Sequence, residues 1–68
     1  MAKKSKLNIN PHWLEIDQQD FYYAEAIIQR KKIKYSLDKA HPYMFFFESK
    51  EDNDKAFKLC NKSKLIIY

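Results

Sequence analysis

One apolar segment constrains the fold of this chain more than any other feature. Residues 42–49 read Pro-Tyr-Met-Phe-Phe-Phe-Glu-Ser, with five large apolar side chains in succession. Successive side chains of a strand point to opposite faces, so both faces of this segment must be covered. The sequence therefore predicts the central strand of a sheet at this position.

Three further strands are predicted around it. Alternation of apolar and polar residues indicates a first strand over residues 12–16, with Leu14 and Ile16 on one face and Trp13 and Glu15 on the other. The same pattern predicts a second strand over residues 33–37. A last apolar strand is expected over residues 65–68.

Two stretches show the 3.6-residue period of a helix with one apolar face. The first runs from residue 18 to about residue 31 and has Asp17 as its N-cap. The second follows Ser49 as its N-cap, and we expect it to run to about Asn61, which tolerates the left-handed conformation. The predicted buried stripes are Phe21, Ala24, Ile27 and Ile28 in the first helix and Ala56, Phe57, Leu59 and Cys60 in the second.

The order strand, helix, strand, strand, helix, strand predicts an α+β fold of the ferredoxin-like βαββαβ type. Right-handed crossovers would place both helices on one face of a four-stranded antiparallel sheet and leave the other face open. The length of 68 residues suits one domain. We expect a flexible basic tail over residues 1–6 and a single domain over residues 7–68.

Composition excludes several functional classes. The chain has no glycine, so it has no glycine-rich phosphate loop of the P-loop or Rossmann type. No apolar run reaches the length of a membrane span, so no membrane partner is expected. The single cysteine fits a reducing cytoplasm. Residues with A/T-rich codons make up about half of the chain, which suggests a bacterial or phage genome.

The net charge of +4 is unevenly placed along the sequence. Three of the thirteen basic residues, Lys3, Lys4 and Lys6, lie in the predicted tail. The ten basic residues that remain face nine acidic ones, so the predicted body has a net charge of about +1. Nucleic-acid binding requires several cations acting together on phosphates, and a nearly neutral body would supply little of that.

Residues 42–61 resemble the third strand and second helix of an RNA-recognition motif. The similarity is carried by the run Phe-Glu-Ser-Lys-Glu-Asp-Asn-Asp-Lys-Ala-Phe at residues 47–57. It implies that Tyr43, Phe45 and Phe47 point toward the helices and that Met44 and Phe46 lie on the open face. In that family, open-face aromatics stack bases. Here the third-strand stacking positions fall on Pro42 and Met44, and no glycine accompanies them.

The predicted open face forms the candidate partner-binding site, with Trp13, Met44, Phe46, Ile66 and Tyr68. Monomeric proteins seldom leave a large contiguous apolar patch uncovered. A protein partner or a second copy of the chain would cover it, because such side chains are enriched at the cores of protein interfaces. The alternative to a binding site is a different strand register, in which some of these residues pack in the core and have no binding role.

A second hypothesis is a single-stranded RNA or DNA binder that stacks bases on this face. Lys34 and Lys64 would then reach phosphates, helped by Arg30 and Lys32 from the basic cluster at residues 30–34. The structural explanation of that cluster is the helix dipole, which stabilises cations at a helix C-terminus.

No pattern points to catalysis. His12, His41 and Cys60 are the candidate metal ligands or nucleophiles, and they lack the close paired spacing of zinc sites. Cys60 is expected to be a core residue. We therefore expect no catalytic residue, metal, cofactor or small-molecule substrate. The function expected is a non-enzymatic protein-binding module, such as a phage-type host-takeover or anti-defence inhibitor.

Overall fold

A computed structural model describes residues 11–68. In chain order the elements are β1 (Trp13–Glu15), a 3₁₀ turn (Gln18–Asp20), α1 (Phe21–Arg30), β2 (Ser36–Asp38), β3 (His41–Phe46) and α2 (Lys50–Lys62). Neither helix in this range is long and apolar enough to cross a membrane. The expected basic tail at residues 1–6, and residues 7–10, lie outside the described residues.

The three strands form an antiparallel sheet in the order β1-β3-β2. Leu14 pairs with Phe45, and Trp13 pairs with Phe46, so the two pairs lie on opposite faces. The prediction of a central strand in the segment 42–49 is confirmed, as is the α+β class. β2 pairs less regularly, because the register shifts between Ser36 and Asp38.

The C-terminal segment lies on the other side of β1 from β3. A single antiparallel bridge joins Ile16 to Ile67. The Asp17 N–H donates to the Ile66 carbonyl at 2.9 Å, and the Tyr68 N–H donates to the Glu15 carbonyl at 3.0 Å. The strand expected over residues 65–68 is therefore reduced to one bridge with its two flanking hydrogen bonds.

The predicted N-cap at Ser49 is confirmed, and Asp17 caps a 3₁₀ turn that leads into α1. The Asp17 carboxylate accepts the Gln19 N–H at 3.1 Å, and the 3₁₀ turn precedes the regular helix. The Ser49 hydroxyl accepts the Asp52 N–H at 3.2 Å, at the start of α2. Each cap satisfies a backbone donor that the helix itself leaves unpaired.

α1 ends in a Schellman motif without glycine. The Ile33 N–H donates to the Ile28 carbonyl at 3.3 Å, and the Lys32 N–H donates to the Gln29 carbonyl at 2.9 Å. Lys32 adopts the left-handed conformation, with φ of 59°. The left-handed conformation is strained for a residue with a Cβ, whereas glycine adopts it without steric strain.

α2 ends in the same way. The Leu65 N–H donates to the Cys60 carbonyl and the Lys64 N–H to the Asn61 carbonyl, both at 3.0 Å. The left-handed residue is Lys64, with φ of 62°. The helix ends at Lys62, one residue beyond the expected Asn61, and the left-handed residue is Lys64 rather than Asn61.

The core lies between the two helices and one face of the sheet. Its buried members are Leu14, Ile16, Phe21, Ala24, Ile28, Phe45, Phe47, Ala56 and Cys60. The ring of Phe21 stacks on Phe45, with centroids 4.6 Å apart and planes 8° from parallel. The predicted stripes are confirmed at Phe21, Ala24, Ile28, Ala56 and Cys60, which are buried. Ile27 and Leu59 are only half-buried, and Phe57 is 44% exposed.

The segment before β2 is held by α1 rather than by the strand ladder. The Tyr35 hydroxyl donates to Glu25 Oε2 at 2.6 Å and accepts from Gln29 Nε2 at 2.7 Å. Its ring contacts Phe45 edge-on at 5.2 Å. The second strand therefore begins at Ser36, later than the expected residue 33.

Candidate interaction surfaces

The open face is the side of the sheet opposite the helices. Cross-strand pairing places Trp13 beside Phe46, and Glu15 beside Met44, on this side. Because Ile67 pairs with Ile16 on the core side, alternation places Ile66 and Tyr68 on the open face. The exposed fractions are 43% for Trp13, 50% for Ile66 and 67% for Tyr68, while Met44 is half-buried.

Phe46 differs from the expectation in its exposure. It lies outside the cluster under the helices, yet only 6% of it is exposed. As part of the central strand it has a neighbour on each side, Trp13 on β1 and Ser36 on β2. The His41 ring also contacts it edge-on at 6.1 Å. Phe46 therefore lies on the open face as expected, but its neighbours cover almost all of its ring.

Carboxylates surround one edge of the open face. The Tyr68 hydroxyl donates to Asp17, and Asp20 Oδ2 accepts the Ile66 N–H at 2.9 Å. The hydrogen bond from Tyr68, helped by the Gln19 N–H, lowers the pKa of Asp17. The same bond raises the pKa of Tyr68, and the charges of Asp17, Glu15 and Asp20 add to that rise. This edge therefore carries concentrated negative charge.

A second surface lies in the helix layer, between α2 and the segment that follows α1. It is a groove of about 760 Å³. Six lysines line it: Lys31, Lys32, Lys34, Lys55, Lys58 and Lys62. Glu48 and Asp52 also contribute to its wall, together with the apolar residues Ile33 and Leu59. We call this surface the basic groove.

The basic groove separates the charges of the described region. Its six lysines against two carboxylates give a net of +4. The rest of residues 11–68 carries four basic side chains, Arg30, Lys39, Lys50 and Lys64, against seven acidic ones, a net of −3. The near-neutral sum expected from the sequence hides two regions of opposite sign.

The sequence identified only part of this groove. Of the four cations proposed for phosphate contact, Lys32 and Lys34 line it, whereas Arg30 and Lys64 do not. The sequence analysis missed the three lysines of α2. Their spacing of three and four residues, which places side chains on one helix face, was the signal that could have found them.

A smaller cavity of about 400 Å³ adjoins the basic groove at the end of β3. It shares Ile33, Lys34 and Glu48 with the groove. Tyr35 and Phe46 form part of its remaining wall. The groove is thus continuous with a recess at the edge of the sheet that has both apolar and charged walls.

The candidate metal ligands and nucleophiles, Cys60, His41 and His12, do not form one site. Cys60 is fully buried, as expected of a core residue, and burial raises the pKa of its thiol to about 11. His41 packs against Phe46, and the His12 carbonyl accepts the Phe47 N–H at 2.8 Å. Within residues 11–68, no three His, Cys, Asp or Glu side chains are arranged to hold a metal ion.

No protein-family model matches this chain, and no curated protein or solved structure matches it significantly. The open face and the basic groove are therefore the features from which a function can be argued.

Proposed function

We propose that this chain is a small non-enzymatic binding protein that engages a protein partner through its open face. The observation that supports this is the apolar surface left exposed beside the sheet, formed by Trp13, Ile66 and Tyr68 with half-buried Met44. Large aromatic and sulfur-containing side chains dominate the binding energy of protein interfaces. An uncovered group of them on so small a domain favours a partner.

The charges around the open face favour a basic partner. Glu15, Asp17 and Asp20 lie at the edge that Tyr68 occupies. Cationic side chains on the partner would pair with these carboxylates at the rim, which mainly speeds and orients association. An arginine or lysine could also lie over the Trp13 ring, a contact worth about 0.5 to 2 kcal/mol.

We propose further that the complete domain has the four-stranded ferredoxin-like arrangement. Three observations support it: the element order, the packing of both helices on one sheet face, and the bridge from Ile67 to the outer side of β1. The matching Schellman motifs at Lys32 and Lys64 suit a fold made of two similar strand–helix–strand halves.

Two other occupants of the open face have less support. A face-to-face homodimer would have to supply cations opposite the carboxylates at the edge of the open face, and none of the six groove lysines belongs to the open face. A single-stranded nucleic acid stacked on this face would meet the same carboxylates, and Phe46 is buried. The composition and the buried thiol remain consistent with a cytoplasmic phage-type inhibitor of a host or defence protein.

A capture experiment with matched variants tests the proposal. The full chain, immobilised through a tag, would be incubated with lysate of the source cells or their host, in parallel with Trp13→Ser and Tyr23→Ser. Tyr23 is a matched control because it is an exposed aromatic, 59% accessible, on α1. We expect one protein in stoichiometric amount that Trp13→Ser loses and Tyr23→Ser keeps.

Equal capture by the Trp13→Ser variant would contradict the proposal. A mass in solution that doubles with concentration in the parent chain, but not in Trp13→Ser, would instead assign the open face to a homodimer.

A further inference from the structure

We infer that the basic groove binds the phosphate backbone of a single-stranded nucleic acid, at a site separate from the open face. None of the open-face residues Trp13, Met44, Ile66 and Tyr68 lines it. Within residues 11–68 the one ion pair joins Lys50 to Asp54 at 3.0 Å, outside the groove. No groove lysine is therefore within ion-pair distance of a carboxylate in this range, and the net charge of +4 that remains after Glu48 and Asp52 must be balanced by anions from solution.

The fold alone explains only some of these lysines. Lys31 and Lys32 follow the C-terminus of α1, where the helix dipole favours cations. Lys55 and Lys58 lie in the interior of α2, where the dipole gives no such advantage. Like charges three or four residues apart destabilise a helix by a few tenths of a kcal/mol, and Lys55, Lys58 and Lys62 form two such pairs. Glu51 and Asp54 stand one turn before Lys55 and Lys58, but neither forms an ion pair with them. A ligand that neutralises these lysines would offset this cost.

The arrangement of the lysines suits one extended strand. Lys55, Lys58 and Lys62 follow each other along α2 with rises of about 4.5 and 6 Å. Lys31, Lys32 and Lys34 lie on the opposite wall. A single backbone between the two walls can meet both sets of ammonium groups. A duplex does not fit within a groove of about 760 Å³ and would touch only its outermost side chains.

The groove favours phosphates over an acidic polypeptide. Its lining contains no tryptophan, tyrosine or arginine, the side chains that most often anchor protein partners. Lysine binds phosphate as a point charge, without the paired geometry that arginine imposes on carboxylates. The lining of the groove itself has no aromatic ring for stacking bases, since Tyr35 and Phe46 belong to the adjoining recess. Contacts in the groove are therefore made to phosphates, and binding should depend little on nucleotide sequence.

The test is a titration of a fluorescein-labelled oligothymidylate of about 20 nucleotides, long enough to span the groove. Fluorescence anisotropy would be recorded for the full chain at salt concentrations from about 50 to 200 mM. The groove variant carries Lys55→Gln, Lys58→Gln and Lys62→Gln, since glutamine is a good helix former. The matched control carries Arg30→Gln, Lys39→Gln and Lys64→Gln, which also removes three charges but none from the groove. Circular dichroism would confirm that both variants are folded.

We expect the groove variant to bind at least about tenfold more weakly, with a log–log salt slope shallower by about 2, since each lost phosphate contact removes about 0.7. The control should change by less than about threefold. Lys3, Lys4 and Lys6 are present in both variants, so their contribution cancels. Trp13→Ser should bind the oligonucleotide as the parent does, which separates this site from the open face.

Four results would overturn the inference. The parent chain could fail to bind at the lowest salt, or the control could lose as much affinity as the groove variant. A duplex that binds as tightly as the single strand would exclude a strand held between the walls. Polyglutamate that displaces the oligonucleotide at equal charge would assign the groove to an acidic polypeptide.

Discussion

The hydroxyl of Tyr68 donates a hydrogen bond to the carboxylate of Asp17. The acceptor is also the N-cap of the first helical turn, so one side chain holds both the turn and the C-terminal segment. Asp20 strengthens the connection by accepting the Ile66 N–H. Two carboxylates thus fix the segment that lies beside β1.

Replacing Tyr68 with phenylalanine should lower stability only at intermediate pH. The folded pKa of Asp17 is below its ordinary 3.8, so its contribution is present above that value and is lost as the pH falls through the folded pKa. The folded pKa of Tyr68 is raised, so its contribution is present below its ordinary 10.0 and is lost as the pH rises through the folded pKa. Urea unfolding of both proteins across the pH range measures the difference, and a difference that persists unchanged at both extremes would contradict the assignment.

Glycine at either left-handed lysine should stabilise the protein. Lys32→Gly and Lys64→Gly remove the strain of a Cβ at positive φ, and we expect each to raise the free energy of unfolding by up to about 1 kcal/mol. Lys31→Gly is the control. This substitution removes the same charge, but at a residue with an ordinary φ of −89°. It should be neutral or destabilising. Urea unfolding decides, and equal effects of Lys32→Gly and Lys31→Gly would argue against strain at Lys32.

Two phenylalanines should differ sharply in their contribution to stability. Phe45 is fully buried and contacts Phe21, Tyr35 and Phe47, so Phe45→Ala should cost about 3 to 5 kcal/mol or prevent folding. Phe57→Ala should cost less than about 1 kcal/mol, because 44% of the side chain is exposed. Thermal unfolding measures both. A large loss of stability in Phe57→Ala would contradict the exposed position of this side chain.

The thiol of Cys60 should report unfolding. It is fully buried, and burial raises its pKa to about 11, so both access and thiolate concentration are low near neutral pH. We expect labelling by a thiol reagent to be at least about a hundredfold slower than for a free cysteine and to accelerate with urea along the unfolding curve. Rapid labelling in the absence of denaturant would contradict the packing of α2.

Local patterns predicted the elements and their buried faces well. Alternation placed Leu14 on the core side, and cap chemistry located the helix starts at Asp17 and Ser49, because these signals involve residues close in sequence. The C-terminal ends of the helices were harder to predict. Left-handed residues are usually glycine or asparagine, so lysine at position 64 gave no sign of the turn it forms.

The surfaces depended on contacts between distant parts of the chain. Burial of Phe46 requires neighbours on both flanking strands, which its own sequence context does not specify. The basic groove brings Lys34 and Lys58 to one surface although other elements separate them in the sequence. A sum of charges along the chain cannot show such a grouping.

The separation of charge gives the part of the chain in residues 11–68 an electrical polarity, with +4 in the groove and −3 over the remainder. In the field of a polyanion, such a body experiences a torque before any contact forms. It would rotate until the lysine side leads, so most encounters would begin in the productive orientation. The tryptophan side would then face outward, where a second macromolecule could still reach it.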